Sequence, residues 1–144
     1  MSCLLNYIMI HFFSEEISFE LANSTIISDW LIQVTQAEGQ HIDEVNYIFC
    51  DDAYLHTMNV QYLSHDTLTD VITFQYESSG ISGDIFISIT RVRENAVQFK
   101  VPFDNELSRV MVHGLLHLLG YKDKSEQEQQ TMRAKEDQYL DFLT

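Results

Sequence analysis

The sequence predicts an α+β fold, about four strands in a mixed sheet packed with about five helices, and three observations carry that reading. The chain of 144 residues falls within the usual range for one domain and is long enough to enclose a hydrophobic core. Strand-length apolar runs are interspersed with helix-period segments in the first part, whereas helical spacing dominates after residue 90; that order fits one layer pair better than a doubly wound sheet. There is no low-complexity tract or internal repeat, and Pro102 is the sole proline, so nothing marks a linker within 1–144.

The elements follow in order. Ile8 to Phe13 and Asn46 to Cys50 are apolar runs of strand length, and between them Ser24 to Glu38 places Ile27, Trp30, Leu31 and Val34 on one helical face. Gly39 supplies a stop, since a glycine accepts the left-handed conformation that closes a helix. Asp51 or Asp52 caps a second helix carrying Leu55, Met58, Asn59 and Tyr62, and Ser64-His65-Asp66 reads as loop. Val71 to Tyr76 and Asp84 to Ile89 are β-branched and aromatic, joined by the turn-rich Glu77-Ser78-Ser79-Gly80, and predict adjacent strands. A helix covers about Arg91 to Phe99. After Pro102, Asp104 is expected to cap a helix running through Leu107, Val110, Met111, Leu115 and Leu118 to a stop at Gly120. Ser125 with Glu128 is a capping-box signature for a last helix that buries Met132, Tyr139, Leu140 and Leu143.

Charge and cysteines narrow the function classes. The net charge is -14, and all 8 basic residues lie at or after Arg91. A general nucleic-acid binder needs a broad Lys/Arg surface, so any polyanion would approach through the C-terminal part. Cys3 and Cys50 form no paired framework, which fits a reducing compartment. The apolar run from Cys3 to Phe13 lacks a basic leader and a cleavage site, meets Glu15-Glu16 at once, and is too short to span a bilayer. The expectation is a soluble cytoplasmic protein with no membrane partner.

The chemistry concentrates in residues 113–124, HGLLHLLGYKDK. His113 and His117, four apart on a helix, face the same way and can reach one cation. Gly120 can end the helix and fold the chain back, which brings Asp123 toward the histidines. Two imidazoles and a carboxylate with a fourth position left open are the arrangement of a catalytic zinc site, whereas structural sites are closed by four ligands. One zinc per chain is expected; iron and nickel stay open because they also accept this donor set. The bland alternative is two half-buried helix histidines bonded to backbone or carboxylates, with Asp123 a solvated loop residue. A peptidase of the HExxH type needs glutamate after the first histidine, and that position is Gly114. Thr69, Asp70 and Asp84, at a loop and a turn bordering neighbouring strands, are expected to organise the cleft; their plain alternative is turn formation and capping.

The motif resembles that of the YbeY family of endoribonucleases, which joins HGxLHLxGYDH to an upstream LNxxYRxxDxPTDVLSFP block. Here the upstream block runs from Met58-Asn59 through Tyr62-Leu63 and Asp66 to Thr69-Asp70-Val71 and Phe74, and a GDIxIS segment matches at Gly83, Asp84, Ile85, Ile87 and Ser88. The resemblance implies a single zincin-like domain, bound zinc, cleavage of single-stranded RNA, and a role in ribosomal-RNA maturation and ribosome quality control; the partner expected is ribosomal RNA or the small subunit and not DNA, and the oligomeric state stays open with a monomer favoured. Two positions depart from the family pattern. Asp123 stands where the family usually has histidine, with Lys122 where it has Asp, and Leu63 stands where it has an arginine associated with catalysis. Either His65 or Arg109, the latter four residues before His113 on the same helix face, stabilises charge on the phosphate in its place, or nuclease activity is weak. A non-catalytic zinc-binding assembly factor and a zincin-type metallopeptidase are the competing readings.

Overall fold

A computed structural model describes residues 9–64 and 69–143. His65, Asp66 and the first residue of the expected N-terminal strand, Ile8, lie outside the described residues. The elements run β1 (Ile10–Ser14), α1 (Ser24–Ala37), β2 (Ile42–Cys50), α2 (Asp52–Leu63), β3 (Val71–Gln75), β4 (Ile81–Ser88), α3 (Ile89–Phe99), α4 (Phe103–Leu118) and α5 (Glu126–Leu140), with a short 3₁₀ turn at Asp141–Leu143. The four strands lie in the order β1-β2-β4-β3. β1, β2 and β4 are parallel, and β3 pairs antiparallel with β4. The mixed sheet and five helices are therefore as expected, and the sheet's central strands are β2 and β4.

Register assigns each strand residue a face. Ile81, Ile85 and Ile87 of β4 are fully buried with Val45, Tyr47 and Phe49 of β2, in one cluster with Trp30, Leu31 and Val34 of α1 and Val110, Met111 and Leu115 of α4. On the opposite face, Ile72 and Phe74 of β3 and Phe86 of β4 pack against Leu55, Tyr54 and Met58 of α2. Two side chains tie α4 to the sheet: the Tyr47 hydroxyl donates to the Met111 carbonyl at 2.9 Å, and Gln75 Nε2 donates to the Leu118 carbonyl at 3.0 Å.

Several boundaries move. β2 begins at Ile42 and β4 at Ile81, both earlier than expected, because pairing with a neighbouring strand extends the β conformation through polar residues such as Glu44 and Ser82, with Asp43 at a register shift between Ile42 and Glu44. α3 starts at Ile89 because the Ser88 side chain accepts from Arg91 N and caps it. Asp104 sits in the first turn of α4; the cap position is Pro102, with no side-chain bond. Asp51 is the cap of α2, accepting from Tyr54 N at 2.8 Å. Both halves of the Ser125–Glu128 capping box form. Leu140 and Leu143 pack on the core while only partly buried.

Candidate metal centre

The end of α4 builds the site from purely local bonds. Gly120 N donates to His117 O and Tyr121 N to Leu116 O, each at 3.0 Å, with Gly120 at φ 111°. This is the Schellman closure, and the positive φ is the reason a glycine stands there. The reversed chain delivers Asp123 to the two imidazoles. His113 Nε2 lies 3.1 Å from His117 Nε2, and Asp123 Oδ2 lies 3.2 Å from each of them. Three donor atoms at tetrahedral positions about 2.0–2.1 Å from one zinc would be about 3.3 Å apart. The near-equilateral triangle of His113, His117 and Asp123 thus fits a single ion with one face left open.

Both rings are oriented from behind. His113 Nδ1 bonds Glu136 Oε2 at 2.6 Å, and His117 Nδ1 donates to the Tyr121 carbonyl at 2.9 Å. With each Nδ1 engaged, each Nε2 is the atom available to a metal. Tyr121 is itself anchored: its hydroxyl donates to Glu38 Oε1 at 2.7 Å, while Lys135 Nζ and the Tyr139 hydroxyl hold Glu38 Oε2. Burial pushes the Glu38 carboxyl upward, but the bonds from Tyr139, Tyr121 and Lys135 outweigh it and leave it below the ordinary value.

A cleft of about 380 Å³ opens on the ligand atoms, with Leu63, Thr69, Asp70 and residues of β3 on its other wall. The structure thus brings Thr69 and Asp70 to the site. Burial raises the Asp70 carboxyl above the ordinary value, against the opposing pull of His113 and Arg109. Leu63 also faces the cleft and is 38% exposed.

Asp84 is not brought to the site. Alternation along β4 turns it to the sheet face opposite α4, where Asn46 Nδ2 donates to its Oδ1 at 3.0 Å and the Tyr76 hydroxyl to its Oδ2 at 2.7 Å. Arg109 departs from expectation as well. Its Nη1 donates to Glu136 Oε1 at 3.0 Å and its Nε and Nη2 to the Glu106 carboxylate. Two buried carboxylates claim the guanidinium, so it stands behind His113, on the Nδ1 side.

Gly114 packs flat on the sheet: a Cβ there would come within 2.7 Å of Ile85 Cγ2. A side chain at this position would force the helix away from Ile85, so a glutamate following His113 would disturb the seam that positions the histidines. Glu136, Glu106 and Glu38 went unnoticed in the sequence. The signal for Glu136 was a carboxylate set between Met132 and Tyr139 on the inward stripe of α5; nothing local marked Glu38.

The fold and site define an α+β protein in which two helical histidines and an aspartate from the following bend would hold a metal ion beside an open cleft. The family model described as "Endoribonuclease YbeY" matches residues 9–144, and the chain belongs to the YbeY family. A protein named endoribonuclease YbeY from Flavobacterium psychrophilum is 56% identical over 129 residues, covering 89% of this chain and 92% of the relative. Its namesake from Flavobacterium johnsoniae is 53% identical, covering 89% and 93%. A solution structure of a Thermotoga maritima protein superposes with a TM-score of 0.65 at 28% identity, covering 94% of this chain and 89% of that one. Among the described residues no helix is long and apolar enough to cross a membrane.

Proposed function

We propose that the chain, acting as one hydrolase domain of residues 1–144, is a zinc-dependent endoribonuclease that cuts single-stranded RNA during ribosomal-RNA maturation and ribosome quality control. The observation that carries this reading is the His113–His117–Asp123 triangle opening on a cleft, in a chain of this family. When bound, the ion supplies Lewis acidity toward a phosphate oxygen and lowers the pKa of water toward neutrality.

The chain's own groups supply the remaining functions. Glu136 and the Tyr121 carbonyl hold the two imidazoles in one tautomer and one orientation. Thr69 and Asp70 line the wall facing the ligands, within reach of a nucleotide held there. Lys122 and Lys124, both exposed, flank Asp123. They offset the acidity of the rest of the chain where a phosphate backbone would enter. Leu63 adds no charge to the cleft, so phosphate binding relies on the ion and on these lysines. The protein is proposed to work in the cytoplasm as a monomer, on ribosomal RNA or the small subunit and not on DNA.

The test pairs metal content with cleavage on one sample. Wild type is expected to hold one zinc and to cut single-stranded RNA; His117→Ala is expected to lose both. Zinc at full stoichiometry without cleavage of any RNA offered would favour the non-catalytic assembly-factor reading.

A further inference from the structure

Behind His113 lies a row of charged groups with no direct access to the cleft. Glu106 and Glu136 are each 2% exposed, and Arg109, held between them, is 15% exposed. Arg109 gives two bonds to Glu106 and one to Glu136 Oε1, while Glu136 Oε2 meets His113 Nδ1 at 2.6 Å. Arg133 touches Glu136 Oε1 only from the surface, at 3.5 Å and 58% exposed, where solvent screens it. Two desolvated carboxylates thus share one desolvated guanidinium. A buried excess of one negative charge is costly unless a cation answers it, and the hydrogen-bonded row continues through the His113 ring toward the ligand triangle.

We propose that Glu106, Arg109 and Glu136 form a positioning and counter-charge relay for the metal, in which Arg109 acts through Glu136 on His113 and not on the substrate. Glu136 fixes the His113 tautomer and makes its Nε2 a stronger donor to the ion. Arg109 holds the Glu136 carboxylate in the plane where both its oxygens are used. Glu106 keeps Arg109 from neutralising Glu136 completely. The inference rests on the metal reading above and deepens it, since it assigns tight binding to residues that are not ligands.

The test is zinc affinity by competition with a chromophoric chelator, together with the ligand-field spectrum of the cobalt-substituted protein; neither depends on RNA cleavage. Glu136→Gln keeps an acceptor oxygen of the same shape and removes the charge, and is expected to weaken zinc about 10–100-fold and to shift the cobalt bands. Glu106→Gln, which does not touch the ligands, leaves Arg109 free to neutralise Glu136 and is expected to weaken zinc by less than about tenfold, below the loss for a direct partner of a ligand. It serves as the second variant if Glu136→Gln does not fold. Zinc affinity within twofold of wild type in a folded Glu136→Gln, or unchanged or tighter binding in Glu106→Gln, overturns the relay alone. A wild type that binds no zinc overturns the relay and the metal-dependent reading together.

Discussion

Gly114→Ala adds a single methyl group at the seam between the metal helix and the sheet. The new Cβ would lie 2.7 Å from Ile85 Cγ2, 3.4 Å from Ile85 Cδ1 and 3.5 Å from Val71 Cγ2. Carbon atoms at rest stand about 3.5–4.0 Å apart, so roughly 1 Å must be found along the first of these contacts. Ile85 cannot yield easily. It is fully buried, its χ1 is restricted by branching at Cβ, and its strand is paired on both sides by β2 and β3. The helix must therefore ride outward, at an overpacking cost of about 1–3 kcal/mol, against about 1 kcal/mol gained by replacing a mid-helix glycine with alanine. The expected balance is a loss of about 1 kcal/mol, or a Tm lower by about 2–4 °C, read by thermal and urea melts in chelator. Because His113 is the adjacent residue, zinc should also bind more weakly. A cycle with Ile85→Ala isolates the cause: once Cγ2 is gone, the alanine at 114 should stabilise by up to about 1 kcal/mol. A Gly114→Ala protein as stable as wild type, or one whose effect keeps its sign in the Ile85→Ala background, would refute the close-packing argument.

Other substitutions probe the site and its supports. Glu38→Gln should destabilise by about 1 kcal/mol at pH 7, less than the usual range for charged hydrogen bonds because solvent reaches Lys135. The Glu38 carboxyl is depressed in the folded state, so its contribution is full above the ordinary value of 4.5 and fades as pH falls through the folded value. The Tm gap between variant and wild type should accordingly close in acid, and a constant gap would contradict the assignment. Leu63→Arg places a guanidinium on the cleft wall from an exposed position; RNA cleavage should rise by about tenfold or more if charge at the phosphate is what the wall lacks, as a rate comparison at fixed zinc would show. Removing both Lys122 and Lys124 as alanines should flatten the plot of log binding constant against log salt for single-stranded RNA by about 1.4, if each lysine meets one phosphate. His117→Ala should lose the tight zinc site while keeping its fold, checked by metal analysis and circular dichroism.

Much of the molecule was legible along the chain because the relevant interactions are local. Helix spacing, the Ser125 capping box, the stop at Gly120 and the His113/His117 pair all depend on residues within a few positions of one another, and each appears where expected. The hairpin of β3 and β4 followed from its turn residues for the same reason. Strand starts were less legible, since Glu44 and Ser82 become β through pairing with each other across the strands and carry no apolar signal of their own.

The amino-acid sequence alone determined the element types, the mixed composition of the fold and the three candidate ligand positions, because a helical turn and a glycine bend bring those side chains near one another. Tertiary structure decided what surrounds them. Sheet register turned Asp84 away from the cleft, close approach to Ile85 explains Gly114, and folding across 23, 27 and 83 positions brought Glu136 to His113, Glu136 to Arg109, and Glu38 to Tyr121. Such partners leave no periodic trace, since the free energy that joins them comes from burying charge beside charge once the core has closed.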